Sequence, residues 1–410
     1  MPGMKKPAAA RTGSRNMRLL SQHPLGKFGN CGEGMALQRT RNRRRILWIA
    51  HESAPKNVTA VDVTDPRKPA LVVQTDLPHE RMRSNSLDLV GDLLVVAYQT
   101  AAPGLTPAGF EIFDVADPAR PKSVSFFDAS GPHSRGVHHL WWVDGAFVHM
   151  AAGAGDFVPR NRRDDQCYRI VDVRDLAHPR EVGRWWMPGT RDGDAEAPPP
   201  RHPRYDSGFR AHNTNVYPQR PDRAYIGYLD GGAFILDISD MARPRALGRW
   251  DYQPPFPGFC HTVLPLFGRN LLVVSDESIR DGAEDWPKLV WILDVSEESK
   301  PTSISTCPLP PVKAFARRGG RFGAHNLHEN RPGAWFSEKI IVGTFFNGGV
   351  RAFDIGDPFR PQEVAWAVPP APRGSSKKAI QLNDVYIDDR GIVFTVDRMA
   401  GGLYAYEMKV

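Results

Sequence analysis

The chain has 410 residues, 41% of them hydrophobic, with 37 glycines and 37 prolines; it is too apolar to be disordered and too rich in turn formers to be mainly helical. Its formal charge of +7 has no lysine-rich face or tail behind it, which argues against a nucleic-acid partner. Cys31, Cys167, Cys260 and Cys307 stand far apart with no CxxC pair, so they read as separate thiols rather than a disulfide frame or a zinc knot.

The opening segment, MPGMKKPAAARTGSRN, is basic but lacks the apolar stretch of an ordinary signal peptide. No run of 18 apolar residues occurs, so no spanning helix is expected. The expectation is a cytoplasmic protein without membrane contact, with a disordered tail over 1–16 and a single domain over 17–410.

One ending recurs along the chain: DVTDPRKP at Asp62, DVADPARP at Asp114, DVRDLAHP at Asp172, DISDMARP at Asp237, DVSEESKP at Asp294 and DIGDPFRP at Asp354. A degenerate seventh copy sits at Glu407. Each follows a β-type run such as GFEIFDV or GAFILDI. The aspartate can accept backbone N–H groups and the proline presets φ, which suits a tight turn between strands. A strand pair precedes each ending, and a fourth short run follows the first six. Four antiparallel strands repeated at this spacing predict an all-β, seven-bladed β-propeller. The last repeat stops after its third strand, while Met17 to Gln22 is a spare strand at the other end. Met17–Gln22 is therefore expected to complete the last blade and remove its open edge.

The first strand of each blade should face the central channel. Aligned on the turn after this strand, the repeats place Gln38, Asn85, His139, His212, His261, His325 and Asn383 at one height. Four of 13 histidines thus share one position on successive blades. Imidazoles on rigid strands can hold Fe, Zn, Mn, Cu or Ni with room left for substrate or water. The expected metal ligands are His139, His212, His261 and His325. His138 should point sideways unless the register slips by one.

Arg83, Arg135, Arg210 and Arg321 lie two or four residues before four of these positions, and their planar forks suit a small acid. Arg83, Asn85, Arg135, Trp141, Arg210 and Asn383 are the expected substrate contacts. Trp142 should pack between blades, and Phe209, Phe256 and Phe259 stand in nearby loops. His138, His328 and Glu329 are the candidates for a general acid or base, Glu329 also for bonding a ligand imidazole or an arginine. The HNLHE stretch is not HExxH, so the zincin pattern is absent. The polar, proline-rich insertion at 188–206 is a candidate lid over one mouth. No phosphate-binding glycine loop, GxSxG or catalytic Cys/His pair occurs. RNRRR at Arg41–Arg45 is the one dense basic run and lacks interleaved aromatics.

The endings and the runs before them resemble the LVIVD-repeat family, over nearly all the chain beyond residue 40. That resemblance implies a β-propeller, in a family whose members are often secreted or surface-associated and share no single activity. In site design alone, four inward histidines resemble the carotenoid and stilbene cleavage oxygenases, which hold a non-haem iron backed by glutamates; that likeness implies ligand roles for His139, His212, His261 and His325 with Glu329 behind them. A triad of His212, His261 and His325 with an amide from Asn383 or Gln38 resembles the manganese site of oligogalacturonate lyases. Likeness of site design sets expectations only. They are a metal-dependent enzyme, foremost an Fe(II) oxygenase, acting in the propeller channel on a small anionic molecule, carboxylated and with an aromatic carboxylate among the candidates. The alternatives are a Mn(II) or Zn(II) lyase or hydrolase, and a metal-free scaffold for protein interaction.

Overall fold

A computed structural model of the chain describes residues 12–410. Among the described residues seven antiparallel sheets of four or five strands follow one another as blades in chain order, beside a small two-stranded pairing of Ser130–Gly131 with Ser134–Arg135. Blade one is Cys31–Arg39, Arg45–His51, Lys56–Asp62 and Ala70–Asp76; blade three is Val137–Trp141, Phe147–Ala152, Cys167–Asp172 and Arg180–Trp185. Blades four and five begin at Thr214–Tyr217 and Cys260–Leu266. In blade two the inner edge is split between Met82–Arg83 and Leu87–Val90. In blade six it is reduced to a short segment around His325–His328, joined to Ile340–Thr344 by the Leu327–Gly343 bridge and by His325 N–H donating to Thr344 O at 3.0 Å.

The ring closes as the repeat count requires. Met17–His23 pairs antiparallel with Leu403–Met408 as the outer strand of blade seven, so Leu403–Met408 is paired on both sides and the blade has its fourth strand. Residues 1–11 of the expected tail lie outside the described residues. Gly13–Arg15, counted with that tail, adds a strand to blade six against Gln362–Val368.

The recurring aspartates shape the turns. The carboxylates of Asp62, Asp114, Asp172, Asp237, Asp294 and Asp354 each accept the backbone N–H two residues on. These turns join the third and fourth strands. They lie at the opposite end of the ring from the loops that lead into each first strand, so the repeat signature and the channel mouth occupy opposite faces.

Apolar side chains pack between neighbouring sheets. Trp142 joins Val95, Ala97 and Phe110 between blades two and three, and burying each such side chain contributes roughly 1.5–3 kcal/mol. Cys31, Cys167, Cys260 and Cys307 are buried and unpaired, and burial raises the pKa of each thiol.

Candidate metal centre

The innermost strands do not keep the pleat where they approach the mouth. A one-residue bulge interrupts them at His138, at His261 and at Asn383, and a longer one spans residues 32–34 around Glu33. A bulge leaves its extra residue outside the alternation and re-aims the side chain. The segment NCGEG can enter the ring because a Cβ on Gly32 would stand 2.6 Å from Asn85 O, and one on Gly34 would stand 2.5 Å from Leu87 N. Only glycine allows that approach. Glu33 N–H then donates to Asn85 O at 2.7 Å, and Asn383 Nδ2 donates to the carbonyls of Cys31 and Gly32 at 3.1 and 2.9 Å. Blades seven and two thus clamp the segment that presents Glu33.

Glu33, His138, His212, His261, Glu277 and His325 form the resulting cluster, all buried. Ring centroids of neighbouring imidazoles are 4.3, 4.2 and 4.5 Å apart along the series His138, His212, His261, His325. Glu33 Oε2 lies 3.5 Å from His261 Nε2 and 3.9 Å from His212 Nε2, and its Oε1 lies 3.5 Å from His325 Nε2. Glu277 Oε1 is 3.6 Å from His325 Nε2.

On their outer sides the rings are held by oxygens. His325 Nδ1–H donates to Asn383 O at 2.6 Å. His212 Nδ1 meets Asn213 Oδ1, and His261 Nδ1 meets Thr262 Oγ1, both at 2.9 Å. His138 Nδ1 meets Gln99 Oε1 at 3.0 Å. An imidazole that donates from Nδ1 turns a lone pair outward at Nε2. His261 Nε2, His325 Nε2 and Glu33 Oε2 are buried with no hydrogen-bond partner. Such orphans are rare because each costs about 1–3 kcal/mol. Their separations are at the outer limit for hydrogen bonds, whereas donors bound at about 2.1 Å to one ion stand roughly 3–4 Å apart. The residues therefore fit a divalent metal.

Electrostatics agrees with that donor set. Burial, aided by the neighbouring His261, lowers His212 to about 3. Burial and then His212 depress His138 well below the usual histidine range. Burial works to raise Glu33, but the imidazoles of His261 and His325 facing it outweigh burial and hold the carboxyl well below the ordinary range. Neutral imidazoles and an ionised carboxylate are the forms that bind metal.

Guanidinium groups surround the mouth side. Arg83 bonds Glu52 at 2.6 Å and Gln99 at 2.7 Å, and its Nη2 lies 3.1 Å from His138 Nδ1. Arg398 reaches Glu52 at 2.9 Å and lies 3.7 Å from Glu33. Arg321 pairs with Glu277 at 2.8 Å, while Arg135 and Arg210 share Asp165 at 2.6 and 3.1 Å. Two clefts meet at Arg135: one of about 490 Å³ with Arg210 and Phe259 in its wall, and one of about 310 Å³ bordered by Glu52, Arg83 and Gln99. Phe259 packs edge-on to His212 with centroids 5.9 Å apart.

Several expected residues stand elsewhere. The bulge puts His138 into the cluster and turns His139 aside, its Nδ1 3.4 Å from Thr214 Oγ1. Gln38 is buried against Asp92, Val115 and Trp48; blade one offers Glu33 to the cluster instead. His328 is fixed between Trp335 O at 2.7 Å and Ile387 N at 3.2 Å, away from the cluster. Trp141 is fully buried beneath Arg331, whose guanidinium carbon is 4.0 Å from the ring centroid, so it offers no face to a substrate. Asn383 holds backbone rather than facing a ligand. Asn85 is buried with both amide atoms unpartnered. Phe209 and Phe256 pack in the core of blades three to six. Glu329 pairs with Arg331 at 2.9 Å and accepts Asn213 Nδ2 at 3.0 Å, so it reaches His212 through Asn213. Arg331, also paired with Asp88, stands in the channel beyond the cluster. The 188–206 insertion is pinned by Arg160 to Glu196 O and by Asp194 to Gly189 N–H. Asp206 and Ser207, at and just past its end, line the larger cleft, which puts the end of the insertion at the mouth.

Glu33, Glu277, Glu52 and Arg398 were not legible from the aligned positions. One signal was present: Glu52 in HES and Glu277 in DES follow the second strands of blades one and five.

The comparisons bear on the fold. Residues 222–251 match the LVIVD repeat, and no curated protein matches the chain. A protein from Lactobacillus plantarum is similar over 82% of this chain and 85% of its own, with a TM-score of 0.54 and 12% identity. The β-propeller domain of Cps50 (Swd1) from Myceliophteria thermophila is similar over 96% of this chain and 100% of its own, with a TM-score of 0.55 and 11% identity.

Proposed function

We propose that the protein is a metal-dependent enzyme acting on a small anionic molecule at the mouth of its channel. The observation that carries this reading is the set of buried, partnerless atoms His261 Nε2, His325 Nε2 and Glu33 Oε2, the two nitrogens each 3.5 Å from an oxygen of the Glu33 carboxylate, Oε2 and Oε1 respectively. A metal-free interaction scaffold gives no reason for that desolvation cost.

Glu33, His261, Glu277 and His325 would hold the ion, with His212 and His138 beside them. Two imidazoles and two carboxylates, with positions left for water or substrate, suit Fe(II) or Mn(II) and also admit Zn(II). The bound ion would supply Lewis acidity, or in the case of Fe(II) the capacity to engage oxygen. Arg135 and Arg210 would receive the anionic group of the substrate and orient it beside Phe259. Arg83 and Gln99 would position His138, whose Nε2 lies 2.7 Å from His212 Nε2. Arg331 would block the channel beyond the cluster, so substrate and product would use the same mouth.

An Fe(II) oxygenase is the reading favoured by four imidazoles. A lyase or hydrolase is favoured by Glu33, because a carboxylate in the donor set is not needed for an all-imidazole iron site. Metal analysis of untagged protein, followed by turnover of small carboxylates with and without oxygen, tests both. Stoichiometric iron with oxygen uptake supports the first, and turnover in the absence of oxygen supports the second. Protein purified and reconstituted without any metal uptake would overturn the enzyme reading.

A further inference from the structure

We infer that the centre has places for two ions that share Glu33, an inference that rests on the metal-dependent reading above. The ligand atoms fall into two groups, Glu33 with His261, Glu277 and His325, and Glu33 with His138 and His212; within each group they lie within 4.8 Å of one another. Donors held at about 2.1 Å by one ion can stand no more than about 4.2 Å apart, so each group is close to the size of a single coordination sphere. Glu33 is the residue common to both. Its carboxylate borders both groups: Oε2 faces His261 at 3.5 Å and His212 at 3.9 Å, while Oε1 faces His325 at 3.5 Å.

The two places differ in chemistry. The first combines two carboxylates with two imidazoles and is the more complete. The second has two imidazoles, whose Nε2 atoms stand 2.7 Å apart, and the shared carboxylate, with Arg83 beside His138. Charge sets a further condition. Two dications beside Arg83, Arg321 and Arg398 exceed what Glu33, Glu52 and Glu277 can offset, so the pair needs an anion between the ions. Two-ion sites bind oxyanions in this manner, with both metals on one group. The substrate class that follows is a carboxylate or another small oxyanion, drawn in by the same guanidinium groups.

The test is Mn(II) binding to the full chain after chelator treatment, with acetate as the anion probe, read by equilibrium dialysis and by electron paramagnetic resonance. Two ions per chain with a spin-coupled spectrum are expected. Glu277→Gln and His138→Ala should each leave one ion per chain, and Glu33→Gln should remove the coupling. One ion in the unaltered protein, weakened alike by both one-sided variants, would overturn the pair and leave the single-ion reading standing. No ion in the unaltered protein would remove both.

Discussion

Glu33 of blade one and His261 of blade five face each other across the channel, with Oε2 and Nε2 3.5 Å apart, and neither atom has another partner. Removing either donor should cost more metal affinity than the roughly 10–100-fold typical of outer partners. Glu33→Gln is expected to purify with little metal and His261→Ala with clearly less than the unaltered protein, both melting as folded protein, which metal analysis and a thermal melt check together.

His138 and His139 are neighbours with opposite roles. His138→Ala should lower metal content, because its Nε2 stands 2.7 Å from His212 Nε2. His139→Ala should keep its metal and lose stability, by about 1–3 kcal/mol, since it leaves a buried gap beside Thr214. Equal metal loss in the two variants would show that the bulge does not sort the pair.

Arg210 and Arg135 touch no donor of the centre, so their loss should show in substrate binding. Arg210→Lys keeps the charge and loses the fork. A rise in KM of about tenfold for a small carboxylate is expected, with metal content unchanged; one charged hydrogen bond of about 1.5–3 kcal/mol sets that scale.

Stability of the metal-free chain should peak near pH 6.5. His51, His149 and His328 are lowered by burial from 6.5 to about 4, His212 to about 3, and His138 well below 6.5. Their unfolded forms take up protons first, so their stabilisation, present above pH 6.5, is lost as pH falls. Burial raises Asp384 to about 8, Asp230 to about 7 and Asp276 to about 6, so their contribution is lost as pH rises. Between pH 4 and 6 the lowered histidines, His139 among them, together with the lowered carboxyls of Glu33 and Glu277, outweigh the raised aspartates, which include Asp88, Asp164 and Asp397, so stability should fall with acidification. Above pH 6.5 Asp230 and Asp384 reverse the slope. Urea unfolding across this range checks the sign on each side.

The blades were legible because each is built from contacts close along the chain. Asp62, Asp114 and their counterparts bond an N–H two residues away, which leaves a mark in the sequence at every repeat. Met17–His23 was legible for a related reason, since a strand missing at one end must be supplied by the other. The inward positions of His212, His261 and His325 followed from the same alignment. The choice of His138 over His139 did not, because one extra residue in a strand has no fixed sequence mark and reverses which side chain faces the channel.

The sequence by itself determined the ring, its count of blades and the side of the sheet on which most of the histidines stand, because strand pairing, turn chemistry and alternation are local. Only the tertiary structure decided that Glu33, Glu277 and Arg398 complete the centre. Those groups come from blades distant in sequence, and they meet because closing the circle brings the mouths of all seven inner strands around one axis.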